Sequence, residues 1–167
     1  FESIQIKEIT ENYSDTVVAV IKQLIKENKT IKPDDIGIIL IDQSKDIYKL
    51  ADVIELKINQ KIGWSVNKAY ETKEKRPEAV LISNRNNVKG LEFPFVFCIT
   101  QAIRNSSSYR NSLYTMLTRS FLKSFLLIPN TQKSGLTPEM KTSLSKINEF
   151  KQMIIDEPSD AEKKRIR

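Results

Sequence analysis

Ala79 to Ile128 reads AVLISNRNNVKGLEFPFVFCITQAIRNSSSYRNSLYTMLTRSFLKSFLLI. An apolar run, Ala79 to Ile82, opens the stretch and breaks into a polar turn from Ser83 to Lys89. Gly90-Leu91-Glu92 comes next, then a second apolar run, Phe93 to Ile99. A loop, a helix-period segment and a third run, Phe125 to Ile128, complete it. Short apolar runs bounded by turn signals fit buried parallel strands, and a helix between two of them makes a βαβ unit. Open α/β sheets bind ligands outside the carboxyl ends of their strands. The polar residues at these strand ends are therefore the candidate functional residues.

The flanking sequence extends the same pattern. Ile4, Ile6 and Ile9 alternate with Gln5, Lys7 and Glu8 as in a half-buried strand. Asn12 or Ser14 can then cap a helix whose apolar face is Val17, Val18, Ile21, Leu24 and Ile25. Lys32-Pro33-Asp34-Asp35 is a turn, and Ile36 to Ile41 is a continuous apolar run that predicts a buried strand. Ser44 is an N-cap with Asp46 in the first turn, Ile47, Leu50, Ala51, Ile54, Ile58 and Ile62 form a helix face, and Gly63 ends it. Trp64 to Val66 reads as a short strand, and Asn67 to Pro77 as a surface loop or one short helix.

Beyond Ile128, residues 129–135 read as a loop, and Thr137-Pro138 starts a last helix. Met140, Leu144, Ile147, Phe150, Met153 and Ile154 give that helix a docking face, and Pro158 to Arg167 is a charged tail. Strands alternating with helices predict an α/β fold, a three-layer αβα sandwich on a mostly parallel sheet. We divide the chain into a domain over residues 1–130 and a C-terminal helix and tail over 131–167.

Hydrophobic residues make up 40% and charged residues 29% of the 167, which fits a soluble globular chain long enough to bury a core. No apolar stretch approaches the roughly 18 residues of a membrane span. Cys98 is the only cysteine and histidine is absent, which leaves no intrachain disulfide and argues against a zinc site or a Ser-His-Asp triad. Cys98 lies within an apolar run and reads as a core residue, in keeping with a cytoplasmic setting. The net charge of +6 is unevenly spread. Residues 1–79 hold 13 basic and 14 acidic side chains, whereas residues 80–128 hold six basic side chains against Glu92 alone. Such a basic stretch is either a solvated face or the footprint of a polyanion.

Individual residues carry that second reading. Gly90 serves either a tight turn or the close approach of backbone N–H groups to a phosphate. Glu92 either accepts bonds from ribose hydroxyls or pairs with a neighbouring arginine. On a helix drawn from Tyr109 to Leu122, the apolar face is Tyr109, Leu113, Met116, Leu117 and Ser120, and Arg119 lies about 120° from its centre. Arg119 is then free either to fork onto phosphate oxygens or to favour the helix dipole in solvent. Arg85 and Lys89 are candidate phosphate contacts. Tyr109, Tyr114 and Phe121 read as core rather than as stacking platforms.

Two segments carry a resemblance. Lys89-Gly90-Leu91-Glu92-Phe93 resembles the KGLEF element of UvrD/Rep-like superfamily 1 helicases, and Leu113 to Ser120, LYTMLTRS, is similar to their LYVALTRA element. The Ile36 to Ile41 strand resembles the one that family places early in its second RecA-like domain. The resemblance implies the C-terminal, second RecA-like domain of a helicase or translocase acting on single-stranded DNA or RNA. It implies that Gly90 lies near the γ-phosphate, that Glu92 binds the ribose, and that Arg119 is an arginine finger; Lys89, beside Gly90, is a candidate nucleotide contact. The family's Thr and His, which approach nucleic acid, correspond here to Asn84 and Asn86, with Arg85 between them; asparagine can still bond phosphate, sugar or base edges.

Other family parts are missing from the sequence. There is no GxxxxGK[ST] phosphate loop and no strand ending in an Asp-Glu pair for magnesium. The resemblance assigns ATP and Mg mainly to an N-terminal RecA-like domain of the same polypeptide. The chain starts at Phe1 rather than Met, and we expect a piece of a longer protein that does not hydrolyse ATP by itself. The expected function is therefore the C-terminal motor domain of a nucleic-acid-dependent ATPase. The alternative is a non-catalytic, helicase-like module that grips nucleic acid or protein.

Overall fold

The computed structural model describes residues 3–10, 12–72, 74–130 and 138–150. The strands are β1 (Ile4–Ile9), β2 (Ile36–Leu40), β3 (Ser65–Lys68), β4 (Ala79–Asn84), β5 (Phe93–Ile99) and β6 (Ser120–Pro129). The helices are α1 (Tyr13–Glu27), α2 (Lys45–Ile62), α3 (Ala69–Thr72), α4 (Ser107–Leu117) and α5 (Pro138–Phe150). All six strands are parallel, in the order β1-β6-β5-β2-β4-β3. The expected αβα architecture is the one observed.

Strand alternation sorts the core into two layers. Ile36, Ile38, Leu40, Val80, Ile82, Phe97 and Phe125 face α1 and α2. Ile39, Ile41, Leu81, Val96, Cys98 and Leu126 face α4, Leu144 of α5 and the β4–β5 connection. Phe93 belongs to this second layer, and Gly37 opposite it leaves the room the ring needs: an added Cβ would stand 2.7 Å from that ring. Cys98 is fully buried, and burial pushes its thiol pKa upward, which agrees with the core reading.

The local signals set the helix ends. The Asn12 side chain accepts from the Ser14 N–H, and the Ser44 hydroxyl accepts from the Ile47 N–H. Gly63 closes α2 in the left-handed region at φ 80°. Asn148 of α5 treats β1 as a neighbouring strand would: its Oδ1 accepts from the Ile4 N–H and its Nδ2 donates to the Ile4 carbonyl, each at 2.8 Å.

The segment after Val66, expected as a surface loop or one short helix, holds such a helix. Asn67 is buried within β3, donating to the Glu74 carbonyl at 2.7 Å and accepting from Thr72 Oγ1 at 3.1 Å, and a one-turn α3 follows. The helix drawn to Leu122 ends at Leu117, because Ser120 pairs with Phe93 and Lys123 with Phe95, so sheet pairing overrides helical spacing there. As a result Phe121 is not core but 64% exposed, and Ser120 sits in a strand. Residues 131–137, the side chains of Met140, Ile147 and Phe150, and residues 151–167 lie outside the described residues, along with the expectations placed on them.

Candidate nucleotide and nucleic-acid clefts

The β4–β5 connection, residues 85–92, decides the site. It leaves the carboxyl end of β4, passes β2 and delivers the chain to the amino end of β5, with no helix in between. Val88, fully buried, pins its middle to the sheet. Asn84 Oδ1 accepts from the N–H groups of Asn86 and Asn87 at 3.1 and 3.0 Å, which fixes the first turn. Gly90 makes the last turn at φ 79°, in the left-handed region that favours glycine, and the Leu91 N–H donates to the Val88 carbonyl.

This course separates the candidate residues by height along the strands. Asn84 and Arg85 stand at the carboxyl edge of the sheet, as expected. Glu92 and Arg119 do not: they immediately precede β5 and β6, at the amino edge. The two motif segments meet there, where the Phe93 N–H donates to the Arg119 carbonyl at 2.9 Å.

Between the connection and α4 runs a cleft of about 840 Å³. Arg85, Asn86 and Lys89 line one side. Ser108, Asn111, Ser112 and Thr115 line the other, and Arg119 contributes to its wall. Among the described residues no carboxylate lines it. Four of the residues singled out in the sequence, Arg85, Asn86, Lys89 and Arg119, therefore come together. Gly90, Glu92 and Asn84 do not line the cleft: Gly90 makes the turn after Lys89, Glu92 is exposed beside Phe93, and the Asn84 amide donates to the Tyr48 hydroxyl. Arg119 is not on the helix, so its freedom does not come from a helical angle. Its Nε is buried without a hydrogen-bond partner among the described residues, and a buried donor of this kind is costly unless an acceptor arrives.

A second cleft, about 350 Å³, opens at the carboxyl edge. Asp42, Ser44, Arg85, Gln101, Arg104 and Tyr109 are among its walls. Asp42 organises it. One carboxylate oxygen accepts from the Gln101 N–H at 2.6 Å and from Thr100 Oγ1 at 3.1 Å; the other accepts from the Tyr109 hydroxyl at 3.1 Å. Thr100 and Tyr109 also share a short hydroxyl contact, and the Tyr13 hydroxyl donates to the Thr100 carbonyl. Burial, reinforced by the Asp42 charge, pushes the Tyr13 hydroxyl up to about 12. Tyr109 moves in the same direction, again chiefly through burial. Three donors, from Gln101, Thr100 and Tyr109, thus hold the Asp42 carboxylate, and the cleft offers a ligand the guanidiniums of Arg85 and Arg104.

Asp42, Gln101 and Arg104 were not among the sequence candidates. Asp42 stands directly after the Ile36–Ile41 run, and the strand-end rule applied to Asn84 marks it equally well. The hydroxyl and amide face of α4 was likewise readable, as the positions opposite Tyr109, Leu113 and Leu117.

Among the described residues no group of three or more His, Cys, Asp or Glu side chains is placed to hold a metal ion. No helix among them is long and apolar enough to cross a membrane.

Residues 79–127, from the start of β4 into β6, match the family described as the UvrD-like helicase C-terminal domain. Among solved structures the chain is similar to the C-terminal domain of a possible DNA helicase from Lactobacillus plantarum WCFS1. Identity is 20% and the TM-score 0.53, over 83% of this chain and 77% of that one. That likeness carries the fold. No curated protein matches the chain. The family match covers both segments on which the helicase resemblance rests.

Proposed function

We propose that this chain is the second RecA-like motor domain of a cytoplasmic, ATP-dependent superfamily 1 helicase or translocase. The α4 cleft is its share of the ATP site, and the carboxyl edge is its contact with single-stranded DNA or RNA. The observation that carries the reading is the pairing of the two motif segments. The Phe93–Arg119 backbone bond sets Arg119 beside the connection that bears Lys89, in a cleft lined by cations and hydroxyls.

That lining fits phosphate. Lys89, Arg85 and Arg119 offer charge, the four polar residues of α4 offer hydrogen bonds, and Arg119 Nε is a donor without an acceptor. It does not fit magnesium, whose oxygen ligands are typically carboxylates. An N-terminal RecA-like domain of the same polypeptide would hold Mg and most of the nucleotide. Bound there, ATP supplies the phosphoryl group whose transfer to water drives the motor. In this chain Gly90 lets the backbone pass close to the γ-phosphate, Glu92 stands free to receive the ribose, and Arg119 stabilises charge on the transferring phosphoryl group.

The test is nucleic-acid-stimulated ATP turnover by a polypeptide carrying both domains, wild type against Arg119→Ala. Stimulated turnover that collapses in a folded mutant supports the reading. Absence of turnover in the wild type sinks it and favours a binding module.

A further inference from the structure

Arg85 lines both clefts. It is the first residue beyond β4, and the Asn84 turn fixes the backbone that carries it. The side chain is half-buried and is drawn into no salt bridge among the described residues. Asp42, the one carboxylate lining either cleft among the described residues, is held by Thr100, Gln101 and Tyr109.

We propose that Arg85 is a phosphate ligand shared by the two clefts, so that they act against one another. A nucleotide phosphate beside Lys89 and Arg119, and a single-strand phosphate beside Arg104, draw on the same guanidinium. The proposal rests on the two-cleft reading above and adds the sign of the coupling between the clefts.

A planar guanidinium forks onto one phosphate at a time in its strongest geometry. When a ligand in the α4 cleft holds Arg85, the carboxyl-edge cleft keeps Arg104 and loses one of its two cations. In the reverse case the α4 cleft keeps Lys89 and Arg119. Neither ligand is expelled, and each is weakened. Linkage makes the two weakenings equal. A motor that grips and releases its track within each nucleotide cycle needs a coupling of this sign, and one side chain at the border of both clefts supplies it without a domain rearrangement.

The experiment uses the 167-residue chain with pyrophosphate as the phosphate probe and labelled oligo(dT) as the strand. Each ligand is first titrated alone. Oligo(dT) affinity is then measured by fluorescence anisotropy in saturating pyrophosphate and in sulfate of matched ionic strength. Pyrophosphate is expected to weaken oligo(dT) binding about five- to tenfold beyond the sulfate control, with the same factor when the order is reversed. In Arg85→Ala each ligand still binds, more weakly, and the factor falls to about one; Arg85→Lys retains part of it. Antagonism that survives in Arg85→Ala means the two anions compete for one site, and overturns the proposal. So does independent binding of both ligands to the wild type. Failure of either ligand to bind alone overturns the two-cleft reading itself, and the proposal with it, and the single-ligand titrations register that separately.

Discussion

The Phe93 N–H donates to the Arg119 carbonyl at 2.9 Å, so the strand that follows Glu92 and the turn that carries Arg119 are one piece of backbone architecture. The bond uses no side-chain atom of Arg119. Substituting that side chain therefore leaves the link intact, and Arg119→Ala should keep its melting temperature within a few degrees. Its effect should fall on phosphoryl transfer: in a two-domain polypeptide, stimulated turnover is expected to drop by about 10³–10⁵. A mutant that loses turnover only in proportion to lost fold would remove the finger role.

Gly37 and Phe93 give a steric prediction. The backbone at Gly37 is ordinary strand, so Gly37→Ala costs nothing in φ, but its Cβ would stand 2.7 Å from the Phe93 ring. We expect overpacking to destabilise the chain by about 1–3 kcal/mol in urea unfolding. Gly37→Ala combined with Phe93→Leu should recover part of that loss. Two additive effects would show that the contact is not the cause.

Gly90 gives the complementary case. Nothing lies within 4 Å of a Cβ placed there, yet φ is 79°. Gly90→Ala should cost about 1–2 kcal/mol through the left-handed backbone alone, with Gly90→Asn milder. Because the turn sets the height of Lys89, pyrophosphate affinity should fall as well. Gly90→Ala with unchanged stability would place φ outside that region in solution.

Salt tests the polyanion reading without any mutant. Each phosphate contact made by Lys or Arg adds about 0.7 to the slope of log affinity against log salt for a single strand. Arg104→Ala should lower the magnitude of the oligo(dT) slope by about that amount. An unchanged slope would take Arg104 off the strand path.

Tyr13 supplies a pH dependence. Burial raises its hydroxyl from the usual 10 to about 12, and Tyr70 is raised likewise. Between those values the unfolded chain has lost protons that the folded chain keeps, so stability falls as pH rises. The contribution is whole below pH 10 and is lost as pH climbs through about 12. Ultraviolet titration should show these tyrosines ionising late, with denaturant midpoints falling over the same range. Full ionisation near pH 10 in a still-folded chain would contradict the burial.

Much of the fold was legible because its signals are local. Ile36–Ile41, Ala79–Ile82 and Phe93–Ile99 announce strands by apolar continuity, and Asn12, Ser44 and Gly63 mark helix ends by side-chain and backbone chemistry. The errors lie where distant pairing decides. Leu117, Phe121 and Leu122 keep helical spacing, and only the Phe93–Ser120 pairing shows that the helix has already stopped. Asn67 looks like a loop residue until Glu74 and Thr72 satisfy its amide. The site divides the same way. Lys89 and Arg119 come from contiguous motifs, whereas the carboxyl-edge cleft joins Asp42, Arg85, Arg104 and Tyr109 from four separate segments.

Among the described residues β1 has one sheet neighbour, and it is the last of these strands to be made: β1 pairs with β6, Ile4 opposite Ser124, and the Ile4 backbone is completed by Asn148. During synthesis β1 must therefore wait, unpaired, until most of the domain has left the ribosome. Closing so long a loop is paid in chain entropy before any contact returns it. The rest of the sheet can assemble from β2 to β5 in the meantime, leaving the β1–β6 pairing and its Asn148 cap as the closing event of folding this domain. Until Asn148 arrives, the outer edge of β1 is an open template for another strand. A truncation that removes α5 would thus show itself first as aggregation of the nascent protein, before any loss of ligand binding.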